Sequence, residues 1–146
     1  MIYHQPTEPM KKMSFKKKLP AFNLVELLVV LAIIGILVLL ALPNLMPLIT
    51  RAKSTEAQLQ LGHIHMLEKT YFYQHSKYST NLEEIGFEQE KLSTENGQAN
   101  YKIEIIEATD HTFKARATSV VDFDGDGTFN VWEIDQDKNL KETQKD

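Results

Sequence analysis

Asp122, Asp124, Asp126, Thr128, Asn130 and Glu133 fall at positions 1, 3, 5, 7, 9 and 12 of one twelve-residue stretch, with Gly127 at position 6. This is the spacing of an EF-hand-type loop, whose alternate side chains curl inward onto one hard cation and whose glycine makes the sharp turn. The expected ligands are the carboxylates of Asp122, Asp124 and Asp126, the Thr128 carbonyl, Asn130 through a water, and Glu133 through both oxygens. Four acids this close repel one another unless a cation sits among them. Calcium is therefore the expected cofactor, at the ~10⁻⁴–10⁻³ M affinity of extracellular modules. The flanking residues read as strands rather than helices, which leaves Glu133 free to point elsewhere. An acidic, glycine-rich turn without metal is the alternative.

The second chemical feature is a lone acid in an apolar run. Leu24–Leu42 is 19 residues long with a single charge, Glu26. At 1.5 Å per helical residue the run reaches ~28 Å, the thickness of a hydrocarbon core. A soluble core helix carries a polar stripe, and this run has none. A carboxylate costs ~2.5–3.5 kcal/mol near the middle of a membrane and less near the headgroups. Proximity to the headgroups would by itself explain Glu26.

Charge orients the segment. Residues 1–21 carry five Lys (Lys11, Lys12, Lys16, Lys17, Lys18) against Glu8, a net +4, leaving 11 basic and 19 acidic residues, a net −8, from residue 22 onward. The positive-inside rule puts residues 1–21 in the cytoplasm and the C-terminal part across the membrane. A stretch of −8 does not suit nucleic acid, so no nucleic-acid partner is expected. There is no cysteine, so no disulfide braces the fold. A cleaved secretory signal is the competing reading of the N-terminus, with Ala41-Leu42-Pro43 as a weak cleavage site.

Lys16-Lys17-Lys18-Leu19-Pro20-Ala21-Phe22-Asn23-Leu24-Val25-Glu26, followed at once by the apolar run, resembles the cleavage and methylation motif of type IV pilins and type II secretion pseudopilins. The resemblance implies a cut between Ala21 and Phe22, N-methylation of Phe22, and a role for Glu26 in assembly. In that picture Glu26 pairs with the new α-amine of a neighbouring subunit. Pairing of this kind is favourable only when both charges are already desolvated, so it acts mainly on register. Ala21 stands where Gly is usual, and Asn23 where Thr or Ser is common. Initiation at Met13 would leave a nine-residue leader, Met13–Ala21, of ordinary length for the family. The implied partners are further copies of the chain, a prepilin peptidase, the assembly machinery and the membrane. The implied location is a single-pass inner-membrane precursor whose mature form enters an extracellular or periplasmic filament.

These features divide the chain into a basic leader (1–21), a transmembrane and polymerisation helix (22–49) and an extracytoplasmic head (50–146). Pro43 and Pro47 are expected to kink or locally melt the helix, or to end it. From Thr50 to about Gln74 the pattern is helical again. Ala52, Leu59, Met66 and Tyr73 recur every seven residues with Gly62 and Thr70 between them, a face expected to pack on a sheet. His63, His65 and His75 share no metal spacing and read as solvated or core-edge residues. Tyr78–Phe87 is a turn-rich connector similar to the loop after the long helix in pilins. Strands are expected over Tyr101–Glu107, Thr112–Val121 and Asn130–Ile134, with a hairpin turn at Thr109-Asp110.

The expected fold class is α+β: one long N-terminal helix, half of it transmembrane, on a small antiparallel sheet. The chain shows no nucleophile–base pair, phosphate loop or zinc set, so an enzyme is not expected. A type IV pilus subunit is the first functional reading. A type II secretion pseudopilin and a membrane-anchored calcium-binding module that never polymerises are the alternatives. Twitching motility, adhesion and secretion are the roles that these readings imply for the filament.

Overall fold

In the computed structural model the described residues are Met1 and 22–146. The leader and the Ala21 side of the expected cut lie outside them. The chain divides into two compact units, Met1–Leu37 and Val38–Asp146. The elements are α1 (Leu24–His75), a short 3₁₀ turn (Ser93–Glu95), β1 (Tyr101–Ala108), β2 (Phe113–Ser119), β3 (Val131–Asp135) and β4 (Leu140–Gln144). The four strands form an antiparallel meander in the order β1-β2-β3-β4. This is the α+β, pilin-like arrangement of one long N-terminal helix on an antiparallel sheet.

The helix is unbroken through both prolines, contrary to the expected melting or termination. Proline fixes φ at a helical value and forfeits one backbone bond, so the surrounding turns continue if their own bonds close. Asn44 Nδ2 adds a contact to Leu40 O at 3.4 Å on this stretch.

Every residue from Phe22 to Ile49 is exposed, whereas Thr50, Ser54, Ala57, Leu61, Ile64 and Glu68 are buried. Their spacing of four and three residues marks one face of α1. Ala57, Leu61 and Ile64 join Tyr101, Ile103, Phe113, Ala115, Ala117 and Ile134 of the sheet in a single core. The face expected to pack on the sheet is the opposite one. Leu59, Met66 and Tyr73 are 71%, 63% and 82% exposed. At 100° per residue they lie about 120–160° around the helix from Leu61. The true core face contains Thr50, Ser54 and Glu68, and these polar members hide it from a hydrophobicity count.

The strand expectations for β1, β2 and β3 hold to within a residue or two, and alternation puts Tyr101, Ile103, Phe113, Ala115 and Ala117 inward. Thr109 closes the β1–β2 turn, its Oγ1 accepting the N–H groups of His111 (3.2 Å) and Thr112 (2.9 Å). β4 is an edge strand of polar composition, Leu-Lys-Glu-Thr-Gln, and its sequence carried no strand signal.

Candidate functional site

The N-terminus of α1 is built by a reciprocal cap. Asn23 occupies the N-cap position and its Oδ1 faces the Val25 N–H at 3.5 Å, while Glu26 Oε2 accepts the Asn23 N–H at 3.0 Å. This is a capping box, which satisfies two of the helix's orphan donors. It also explains why Asn serves where Thr or Ser is common, since all three types cap helices. Glu26 is thus already held by one backbone donor within its own helix. Phe22, Asn23, Val25, Glu26, Val29 and Val30 line a shallow cleft of about 440 Å³, and Phe22 itself is 85% exposed. Among the described residues, one helix is long and apolar enough to cross a membrane, and its most apolar window is entirely exposed.

The acidic loop joins β2 to β3, and the structure brings together only part of the expected ligand set. Asp122, Asp124 and Asp146 each offer a carboxylate oxygen, all within 4.8 Å of one another. Asp122 also accepts the N–H groups of Gly125 (2.6 Å) and Gly127 (2.7 Å). Both glycines have positive φ, +82° and +87°, which the curl of the loop requires. The Gly127 bond leads in holding the Asp122 carboxyl below its ordinary value, against partial desolvation. At Asp124 the Asp126 N–H bond pulls the other way from the net shift. Desolvation and the charges of Asp126, Asp146 and Asp122 outweigh it and raise the carboxyl.

The remaining expected ligands are engaged elsewhere. Asp126 turns to the Thr128 N–H at 2.6 Å, and both residues stay in the loop. Asn130 is fully buried; its Oδ1 accepts the Tyr101 hydroxyl at 2.7 Å and its Nδ2 donates to Glu142 Oε1 at 2.7 Å. Burial, then the charges of Glu56, Asp146 and Glu142, push the Tyr101 hydroxyl up and keep it a donor. Glu133 lies on β3 opposite Arg116 and binds its Nε (2.8 Å) and Nη2 (2.6 Å). The strand pleat sends this side chain to Arg116 because β3 begins at Val131, before the twelve-residue loop pattern is complete. Asp146 was missed, since nothing in local spacing signals a residue 22 positions from its partner.

A second missed group is Glu68. It is fully buried on the core face of α1, with Oε2 accepting the Ser79 N–H at 3.2 Å and Oε1 lacking a partner among the described residues. Burial pushes its carboxyl up to about 7, against the lowering effect of the Ser79 bond. The acid thereby ties the 76–92 connector to the helix, next to Tyr78, whose hydroxyl accepts the Lys69 ammonium at 3.1 Å. The histidines form no metal set among the described residues; His65 Nε2 meets Gln136 O at 3.2 Å and His75 Nδ1 meets Tyr71 O at 3.1 Å.

The class these features define is an α+β protein of pilin-like fold whose long helix begins with a stretch apolar enough to cross a membrane. The chain is 37% identical over 82 residues to the type IV major pilin protein PilA of Myxococcus xanthus (strain DK1622). That stretch makes up 56% of this chain and 37% of the relative's own length. No family model matches the chain.

Proposed function

We propose that this chain is the structural subunit of a type IV pilus filament, cut before Phe22, N-methylated there, and polymerised through α1. The single observation that carries the reading is the complete exposure of Phe22–Ile49 on a helix that also carries the Glu26 cap. So large an apolar surface requires lipid before assembly and neighbouring helices after it. The similarity to a type IV major pilin and the pilin-like head support the same conclusion. The chain acts as a building unit rather than an enzyme. Its partners are copies of itself, the prepilin peptidase and the assembly machinery. Mass spectrometry of material from native membranes tests the reading: a chain beginning at methylated Phe22 is expected, and a chain that always begins upstream of Ala21 overturns it.

The acidic loop adds a calcium site to this reading, with a revised ligand set. Asp122, Asp124 and Asp146 supply hard oxygen donors within one ion's reach. The mutual repulsion felt at Asp124 is what a bound cation would relieve. Bound calcium would join Asp146, just past β4, to the β2–β3 loop in a stretch that has no cysteine. Calorimetric titration of the full chain with calcium, read beside a thermal melt, tests it; absence of both heat and thermal shift removes the site.

A further inference from the structure

Pro47 and Arg51 of α1 form one wall of a groove of about 450 Å³, whose other wall is Trp132, Glu142, Lys145 and Asp146. The charges in it are balanced in number but not in availability. Asp146 is turned toward the β2–β3 loop, its Oδ2 accepting the Phe123 N–H at 2.9 Å and its Oδ1 the Asp124 N–H at 3.2 Å. Glu142 commits Oε1 to Asn130 and keeps Oε2. Arg51 and Lys145 are exposed and enter no salt bridge among the described residues. Trp132 lines the groove, with its Nε1 buried and without an acceptor among the described residues. The groove therefore holds two cations without a salt bridge among the described residues, beside one half-free carboxylate.

Its position narrows the occupant. Pro47 follows the last residue of the apolar run, Leu42, by five helical residues, or ~7.5 Å of rise. That is headgroup depth if Leu24–Leu42 spans a bilayer, so the inference rests on the membrane reading above. An indole and basic side chains at this depth match the interfacial preferences of those groups. The net −8 of residues 22–146 disfavours a purely anionic surface. A zwitterionic headgroup meets both conditions. We propose that this groove binds the phosphoethanolamine headgroup of a phospholipid, with the phosphate on Arg51 and Lys145 and the ammonium on Glu142. The groove thereby seats the head on the membrane before assembly.

Trp132 is the single tryptophan of the chain, so its emission reports the groove directly. The full chain is reconstituted in phosphatidylcholine vesicles alone, or with phosphatidylethanolamine or phosphatidylglycerol added, and carbonate resistance scores insertion separately. Phosphatidylethanolamine is expected to shift Trp132 emission saturably, because choline has no N–H to offer Glu142 and phosphatidylglycerol has no ammonium. Arg51→Ala and Lys145→Ala should each require about tenfold more of the lipid for half the shift, the loss of one charge-assisted contact. An inserted chain whose emission ignores lipid composition overturns the proposal and leaves the membrane reading intact. Failure to insert overturns both. An equal shift on adding inorganic phosphate or glycerophosphoethanolamine would make the ligand a free phosphate compound, and a shift that follows protein density would make it a second copy; either result overturns the lipid assignment.

Discussion

Glu26 Oε2 holds the backbone N–H of Asn23 at 3.0 Å, so the one acid of the apolar run closes the first turn of the helix that carries it. The side chain thus has two separable properties, a cap and a charge. Glutamine retains the capping geometry and removes the charge. Glu26→Gln should leave membrane insertion and helix content unchanged while reducing the sheared surface-filament fraction severalfold. Glu26→Ala should lower both. Normal filament yield from Glu26→Gln would remove the charge from the assembly step.

The exposed stripe of Leu59, Met66 and Tyr73 makes no contribution to the core of the subunit. Leu59→Asp is expected to shift subunit stability by no more than about 0.5 kcal/mol, the range of surface substitutions. The same change should sharply lower filament yield, because an apolar stripe opposite the core is a surface for neighbours. Thermal melts and shearing assays on one strain separate the two effects. A destabilised subunit would mean the stripe packs internally after all.

Glu68 makes the head pH-sensitive. Its folded value, about 7, lies above the ordinary 4.5, so the folded state binds the proton more tightly than the unfolded state does. The stability it contributes is complete below pH 4.5 and disappears as pH rises through 7. A shift of this size corresponds to about 3 kcal/mol between the two limits. Glu68→Gln should therefore melt close to wild type at pH 4.5, melt higher at pH 8, and flatten the slope between them. Parallel pH dependence in mutant and wild type would assign the slope to other groups.

Arg116 and Glu133 join β2 to β3 on a partly exposed face, with the two side chains 41% and 18% exposed. Solvent screening limits the worth of such a pair, and Glu133→Ala should cost about 1 kcal/mol. It should leave calcium titrations unchanged, whereas Asp122→Asn and Asp124→Asn should weaken them at least about tenfold, a loss of ~1.4 kcal/mol. Loss of calcium heat in Glu133→Ala would restore the twelve-residue loop pattern as the ligand set.

What the residue order alone determined is whatever depends on near neighbours. The apolar run, its basic flank and Glu26 follow from composition over 30 positions. Alternation in Tyr101–Glu107 and Thr112–Val121 shows the inward faces of β1 and β2 because the strand period is two. Tertiary structure decided the rest. Two helix faces competed after Thr50, and the sheet took the one with Thr50, Ser54 and Glu68; Ser54 bonds carbonyls of its own helix, and Glu68 Oε2 meets the Ser79 N–H only once the connector closes over it. Glu133 met Arg116 rather than a cation because the β2–β3 register sets them opposite each other. Asp146 reached Asp122 because β4 pairs with β3 and returns the residues after it to the loop. Such partners lie 17 to 24 positions apart. Their meeting depends on strand register and loop closure, which no short window of sequence contains.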